Sequence, residues 1–255
     1  MYTMGDETPV GQQFLIDQWD LIDHIQTYMP QLEEDPSPDS EVAFLDAHFA
    51  DAPVPFLTSL PAALVTAMHS LAEIKVRVEA GDARIIVVRS LLRAALLGSC
   101  RATYCLSPET REERIRNTGM VLRYDGEQLV GAMRDFSRFE HLPVLVPPGD
   151  VLTDQEARLE GLSRSKTTET SLIKDFAVQT GEAAARRDPQ IPAGVLEENL
   201  TWIWRTNSAA VHGLGWLAKV PDGQFLADLA SVAAAANMAV QLAAEAWVGP
   251  LKNSE

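Results

Sequence analysis

Arg205-Thr206-Asn207-Ser208-Ala209-Ala210-Val211-His212 sets an arginine and a histidine seven positions apart. On an α-helix seven steps return to within about 20° of the same face and advance by about 10 Å, so the two side chains would frame one slot. A guanidinium can hold a phosphate through two parallel hydrogen bonds, and an imidazole can give or take a proton near neutral pH. That combination suits phosphodiester chemistry beside a ribose hydroxyl, with Asn207 and Ser208 as polar support. Arg134-Asp135-Phe136-Ser137-Arg138-Phe139-Glu140-His141 repeats the spacing, but His141 falls at a helix exit beside Pro143. Arg205 and His212 are preferred because their whole interval is compatible with a helix.

Other chemistries find less material. The helix-bundle metal pattern, paired Glu-x-x-His or histidines four apart, does not occur, and His24, His48, His69, His141 and His212 are scattered. Asp20 with His24 reads as a solvated helix face. There is no Gly-x-Ser-x-Gly elbow, no phosphate loop, and no cysteine beside a base. Gly213-Leu214-Gly215-Trp216-Leu217-Ala218 has the letters of a dinucleotide-binding turn, yet it sits late in a helix instead of following a strand. Its glycines read as places of close backbone approach. Neither a metal nor a cofactor is expected.

The elements that must carry these residues are helices throughout. Gly11–Met29 is amphipathic and stops at Pro30. Ser40 caps a short helix through Ala50, and Ser59 with Pro61 opens one that Gly81 ends. Ala83–Leu106 is apolar almost all round, as the central helix of a bundle would be. Ser107-Pro108 starts a helix to about Arg138, and the prolines of Leu142–Asp150 exclude one there. Thr153 to Glu156 fits a capping box for Ala157–Leu162. Ser163–Thr168 reads as a mobile loop before a helix over Glu169–Thr180. Val195–Ala218 carries Leu196, Leu200, Trp204, Val211, Leu214 and Ala218 on one stripe, and Gly223–Val248 is rich in alanine. The sum is an all-α, irregular antiparallel bundle of about eight helices in a single domain, with residues 1–40 as an acidic helix and loop ahead of the bundle core at 41–255.

Charge is unevenly distributed. The net charge is −15, and thirteen acids with no Lys or Arg precede Lys75, leaving 23 acids against 21 bases after it. Arg84–Arg138 holds ten arginines against six acids, Arg89 and Arg93 among them; the preferred reading is a set of solvated and intramolecular pairs, with a locally positive RNA path as the alternative. The most apolar run, Ala83–Leu106, is interrupted by Arg84, Arg89, Arg93 and Arg101, which argues against a membrane span. No secretion signal is visible, so the cytoplasm is the expected location. Cys100 and Cys105 read as buried thiols.

In this all-α setting, Arg205 to His212, with Gly213 after and Trp202 and Trp204 before, resembles the HEPN superfamily (higher eukaryotic and prokaryotic nucleotide-binding proteins). Its ribonucleases carry Arg-x(4 to 6)-His on one helix of the bundle. The resemblance implies metal-independent cleavage of single-stranded RNA, in which the 2′-hydroxyl attacks its own phosphate and leaves a cyclic phosphate. It also implies a site formed between two protomers, with Arg205 binding phosphate, His212 as acid or base, and Asn207 replacing the polar residue the family favours directly after the arginine; Ser208, and Arg89 and Arg93 of the arginine-rich segment, are the candidates for the substrate side. The competing reading is a non-catalytic helical interaction protein whose acidic first third binds a basic partner. In it, His212 is a core histidine and Arg205 covers Trp202.

Overall fold

A computed structural model describes residues 9–142, 148–162, 168–187, 189–190, 192–215 and 225–249. Its order is α1 (Pro9–Gln26), α2 (Met29–Glu33), α3 (Glu41–His48), α4 (Phe56–Glu79), α5 (Ile85–Leu106), α6 (Arg111–Phe136), α7 (Gly149–Gly161), α8 (Glu169–Arg187), α9 (Ala193–Val211) and α10 (Phe225–Val248). No strand occurs among the described residues. The chain is an all-α helical bundle, as its periodicity predicts; the first helix ends at Gln26, and the proline expected to end it lies in the first turn of α2, a short helix that starts at Met29.

The sequence places α5 at the centre because it is apolar on nearly every side, and α5 packs against α4, α6, α8, α9 and α10. Leu92, Ala95, Leu96 and Cys100 are fully or almost fully buried in it. Gly98 lets α4 come close: a Cβ there would stand 2.2 Å from the carbonyl oxygen of Ala63. The small residues of α10 do the same on another side, with Ala233, Ala236, Ala239 and Ala243 at zero exposure. Trp19, Ile22 and Ile25 of α1 and Leu32 of α2 belong to the same apolar core.

Local chemistry explains where the helices start and stop, including where they depart from expectation. Ser40 caps α3 as expected, its Oγ accepting from the Ala43 N–H at 3.1 Å. The cap of α6 is Thr110, whose Oγ1 accepts from the Glu113 N–H. Ser107-Pro108 lies before it, and the carbonyls of Pro108 and Glu109 accept from Arg114. Phe56 begins α4, so Ser59 is not a cap, and its hydroxyl donates to Asp125 instead. Thr153 is likewise inside α7, bonded to the Gly149 carbonyl. Gly181 does not end α8, which runs to Arg187.

The most consequential departure is in α9, which ends at Val211 and not at Ala218. Gly213 takes φ +65°, the Gly213 N–H bonds the Ala210 carbonyl and the Leu214 N–H bonds the Ala209 carbonyl. This is a Schellman termination, which a left-handed glycine makes inexpensive. Val211 and Leu214 are consequently exposed by 45% and 49%, not core residues. Residues 216–218, the loop at 163–167 and the short apolar run at 144–146 lie outside the described residues.

Phe56–Glu79 and Phe225–Val248 are each long and apolar enough to cross a membrane. The arginines that interrupt Ala83–Leu106 do not bear on them, since residues 52–72 carry no Asp, Glu, Lys or Arg. Both helices pack against α5. Acids of the first third enter the fold as well: Asp23 pairs with Lys75 at 2.7 Å, Glu41 with Arg114 at 2.8 Å, and Asp46 accepts from the Leu57 N–H at 2.9 Å.

Candidate functional site

One side of α9 buries Leu196, Leu200, Ile203, Trp204 and Asn207, and the other leaves Val195, Trp202 and Arg205 exposed, while Val211 lies on the buried side's line but is exposed because the helix ends there. His212 caps the helix, and its N–H still bonds the Ser208 carbonyl at 3.0 Å, so the helical path continues through it. Arg205 and His212 are therefore both exposed, on one face, about 10 Å apart along the axis. Asn207 stands about 200° round the helix from Arg205 and is at zero exposure. It does not share their slot.

Beneath that outward pair lies a buried polar layer. The Arg93 guanidinium sits 4.4 Å from the Trp204 ring centre, and its Nε donates to Ser208 Oγ at 3.2 Å, which ties α5 to α9. One turn earlier on α5, Arg89 is 7% exposed, with Nε and Nη1 buried and without hydrogen-bond partners among the described residues. Both polar atoms of the Asn207 amide are in the same condition. Asp228, in the first turn of α10, is also 7% exposed, and burial pushes its carboxyl up to about 6 against the opposing pull of Arg89.

The structure thus brings together Arg93 and Ser208, and it places Arg89 within electrostatic reach of Asp228. It separates Asn207 from Arg205 and His212. Sequence reasoning missed Asp228, although an acid at the start of an otherwise apolar, alanine-rich helix was a visible signal, and it missed the stacking role of Trp204. In the second motif, Arg134 pairs with Glu156 at 2.8 Å, and His141 lies beyond the end of α6.

The arginines of Arg84–Arg138 are largely engaged within the molecule. Arg101 pairs with Asp125, Arg114 with Glu41 and Arg123 with Glu127, and Arg111 lies 4.6 Å from the Phe44 ring centre. This follows the intramolecular reading of that segment.

Chemically, the outward pair offers a phosphate-binding cation and a proton carrier, with the buried layer fixing the helix that bears them. Burial pushes the Cys100 and Cys105 thiols up to about 12, so neither is a nucleophile. No group of three or more His, Cys, Asp or Glu side chains able to hold a metal occurs among the described residues. Comparison with protein-family models, with curated proteins and with solved structures gives no match to this chain.

Proposed function

We propose that this chain is a HEPN-like, metal-independent endoribonuclease that cleaves single-stranded RNA. The reading is carried by the shared exposure of Arg205 and His212 on one face at the end of α9. His212 takes the proton of a ribose 2′-hydroxyl, whose oxygen attacks the adjacent phosphorus. Arg205 holds the non-bridging oxygens, and the 5′-oxygen leaves with a proton from a second acid. The products are a 2′,3′-cyclic phosphate and a 5′-hydroxyl, and DNA is not cut.

The second acid is His212 of another copy in a homodimer. Trp202, Val211 and Leu214 support this by leaving apolar surface at 38%, 45% and 49% exposure around the pair. The test is incubation of the purified protein with mixed RNA in excess chelator, followed by mass spectrometry of the product ends. Cyclic phosphates are expected. Intact RNA favours the second reading, a non-catalytic protein that docks a basic partner, which is supported by the exposed acids Glu33, Glu34, Asp35 and Asp39.

A further inference from the structure

Between the turn that follows α3, the first half of α6 and the last turns of α7 lies a cavity of about 510 Å³, to which α9 contributes no wall. Phe49, Ala52, Ile115 and Leu162 supply its apolar side. The Phe49 ring lies directly on the α6 backbone, since a Cβ at Gly119 would stand 3.3 Å from it, and the His48 ring stands at 79° to it with 4.8 Å between centres. Two hydrogen bonds hold the surroundings. The Ala52 N–H donates to the Phe49 carbonyl at 2.9 Å, which shapes the turn carrying Asp51, and Arg123 Nη1 of α6 donates to the Leu162 carbonyl at 3.1 Å, which anchors the end of α7.

Two accessible groups of opposite sign complete the lining, and they do not satisfy each other. The Asp51 carboxylate is exposed and has no hydrogen bond or ion pair among the described residues. The Arg116 side chain is 64% exposed, and its ionic contact, with Glu113, is 3.8 Å long, beyond hydrogen-bond distance. A surface pair of that kind contributes little, so the guanidinium fork stays available. Of the other polar groups at the cavity, Arg158 already donates from Nε to Asp154 at 2.8 Å, and His48 is engaged with the Phe49 ring. A ligand with a carboxylate alone would meet Asp51 unpaired, and one with an ammonium alone would meet the two arginines. A ligand carrying both charges beside an apolar body meets a partner for each part.

We propose that this cavity binds a free α-amino acid with an aromatic side chain. Its carboxylate takes the Arg116 fork, its ammonium donates to Asp51, and its ring lies against Phe49, Ile115 and Leu162. The volume is in the range of small-molecule sites. The proposal does not depend on RNA cleavage.

The test is a titration of the full chain with L-phenylalanine, 3-phenylpropanoate, 2-phenylethylammonium and L-alanine, followed by the methyl resonances of Ile115 and Leu162. Saturable binding of L-phenylalanine is expected, at least about tenfold tighter than for the three compounds that each lack one of its parts. Asp51→Asn should weaken L-phenylalanine at least about tenfold without weakening 3-phenylpropanoate, and Arg116→Gln should weaken both without weakening 2-phenylethylammonium. Both residues are exposed, so these variants keep the fold. A Cβ added at Gly161 of the lining meets no atom within 4 Å, so Gly161→Trp can occupy the cavity and should remove binding. Absence of saturable L-phenylalanine binding overturns the proposal, as does equal affinity for 3-phenylpropanoate or 2-phenylethylammonium, or undiminished binding to Gly161→Trp.

Discussion

Arg205 and His212 are both exposed at the end of α9, so their replacement separates chemistry from stability. Arg205→Ala and His212→Ala should each lower cleavage at least about 100-fold, the usual scale for losing a proton carrier or a phosphate-binding cation. The melting temperature should move by no more than about 2 °C. Arg134→Ala and His141→Ala should leave cleavage intact, and equal losses from that pair would move the site to α6. Asp228 offers a different measurement. Its carboxyl titrates near 6 in the fold and near 3.8 when unfolded, so between those values the folded chain holds a proton that the unfolded chain has released. Its contribution to stability is thus full below about pH 4 and is lost as pH rises to 6, by about 3 kcal/mol over the two units. Asp228→Asn should remove that slope. Stability curves for the two proteins that run parallel from pH 4 to 7 would show that Asp228 does not titrate there.

At the level of elements, α4 and α5 meet where Gly98 leaves no room for a methyl group. Gly98→Ala would drive a Cβ into the backbone at Ala63, which no side-chain rotation relieves, because the obstacle is a carbonyl oxygen. A loss of about 3 kcal/mol is expected, or about 6–12 °C in melting temperature. A smaller loss would mean the two helices can part locally. Most of these elements were legible in the chain, because continuous apolar stripes such as those of α4 and α5 announce their buried sides. The boundaries were less so. Thr110 and Ser107 are both competent caps, and only the Glu113 N–H that Thr110 accepts decides between them. Gly213 could be read as a small interior residue or as a left-handed stop, and the bonds of Leu214 and Gly213 back to Ala209 and Ala210 select the stop. That choice also moves His212 from mid-helix to a cap. That Arg205 and His212 share a face was recoverable from their seven-residue spacing, whereas that this face is the exposed one was not. The burial of Asn207 was legible as well, since it falls three positions after Trp204 and seven after Leu200 and so interrupts the apolar stripe, and the same helix geometry sets it about 200° from Arg205, outside the slot it was assigned to.

For the molecule as a whole, a site completed across a two-fold axis requires a dimer, so light scattering should report about twice 27.9 kDa at working concentration. A monomer at all concentrations would leave the proposed second acid without a source. The acidic first third adds an electrostatic test, although its first helix belongs to the core and cannot be deleted without exposing Trp19, Ile22 and Ile25. Neutralising the exposed Asp17, Asp20, Glu33, Glu34 and Asp35 to amides keeps that packing. If these charges restrain RNA binding, the variant should bind RNA more tightly at low salt, and its advantage should shrink as the Debye length falls to about 8 Å near physiological salt. An unchanged affinity would assign the acids to another purpose.

The central position of α5 has a consequence for synthesis. Its broad apolar surface is covered in part by α10, more than a hundred residues later in the chain, so a ribosome that has delivered α5 has not yet delivered its cover. As α6, α8 and α9 emerge they cover other sides of this helix, but the side that α10 takes stays open until the end of translation and needs chaperones to keep it from other chains. A chain halted before Phe225 would be released in that state, which makes the alanine-rich last helix the step on which solubility during production turns.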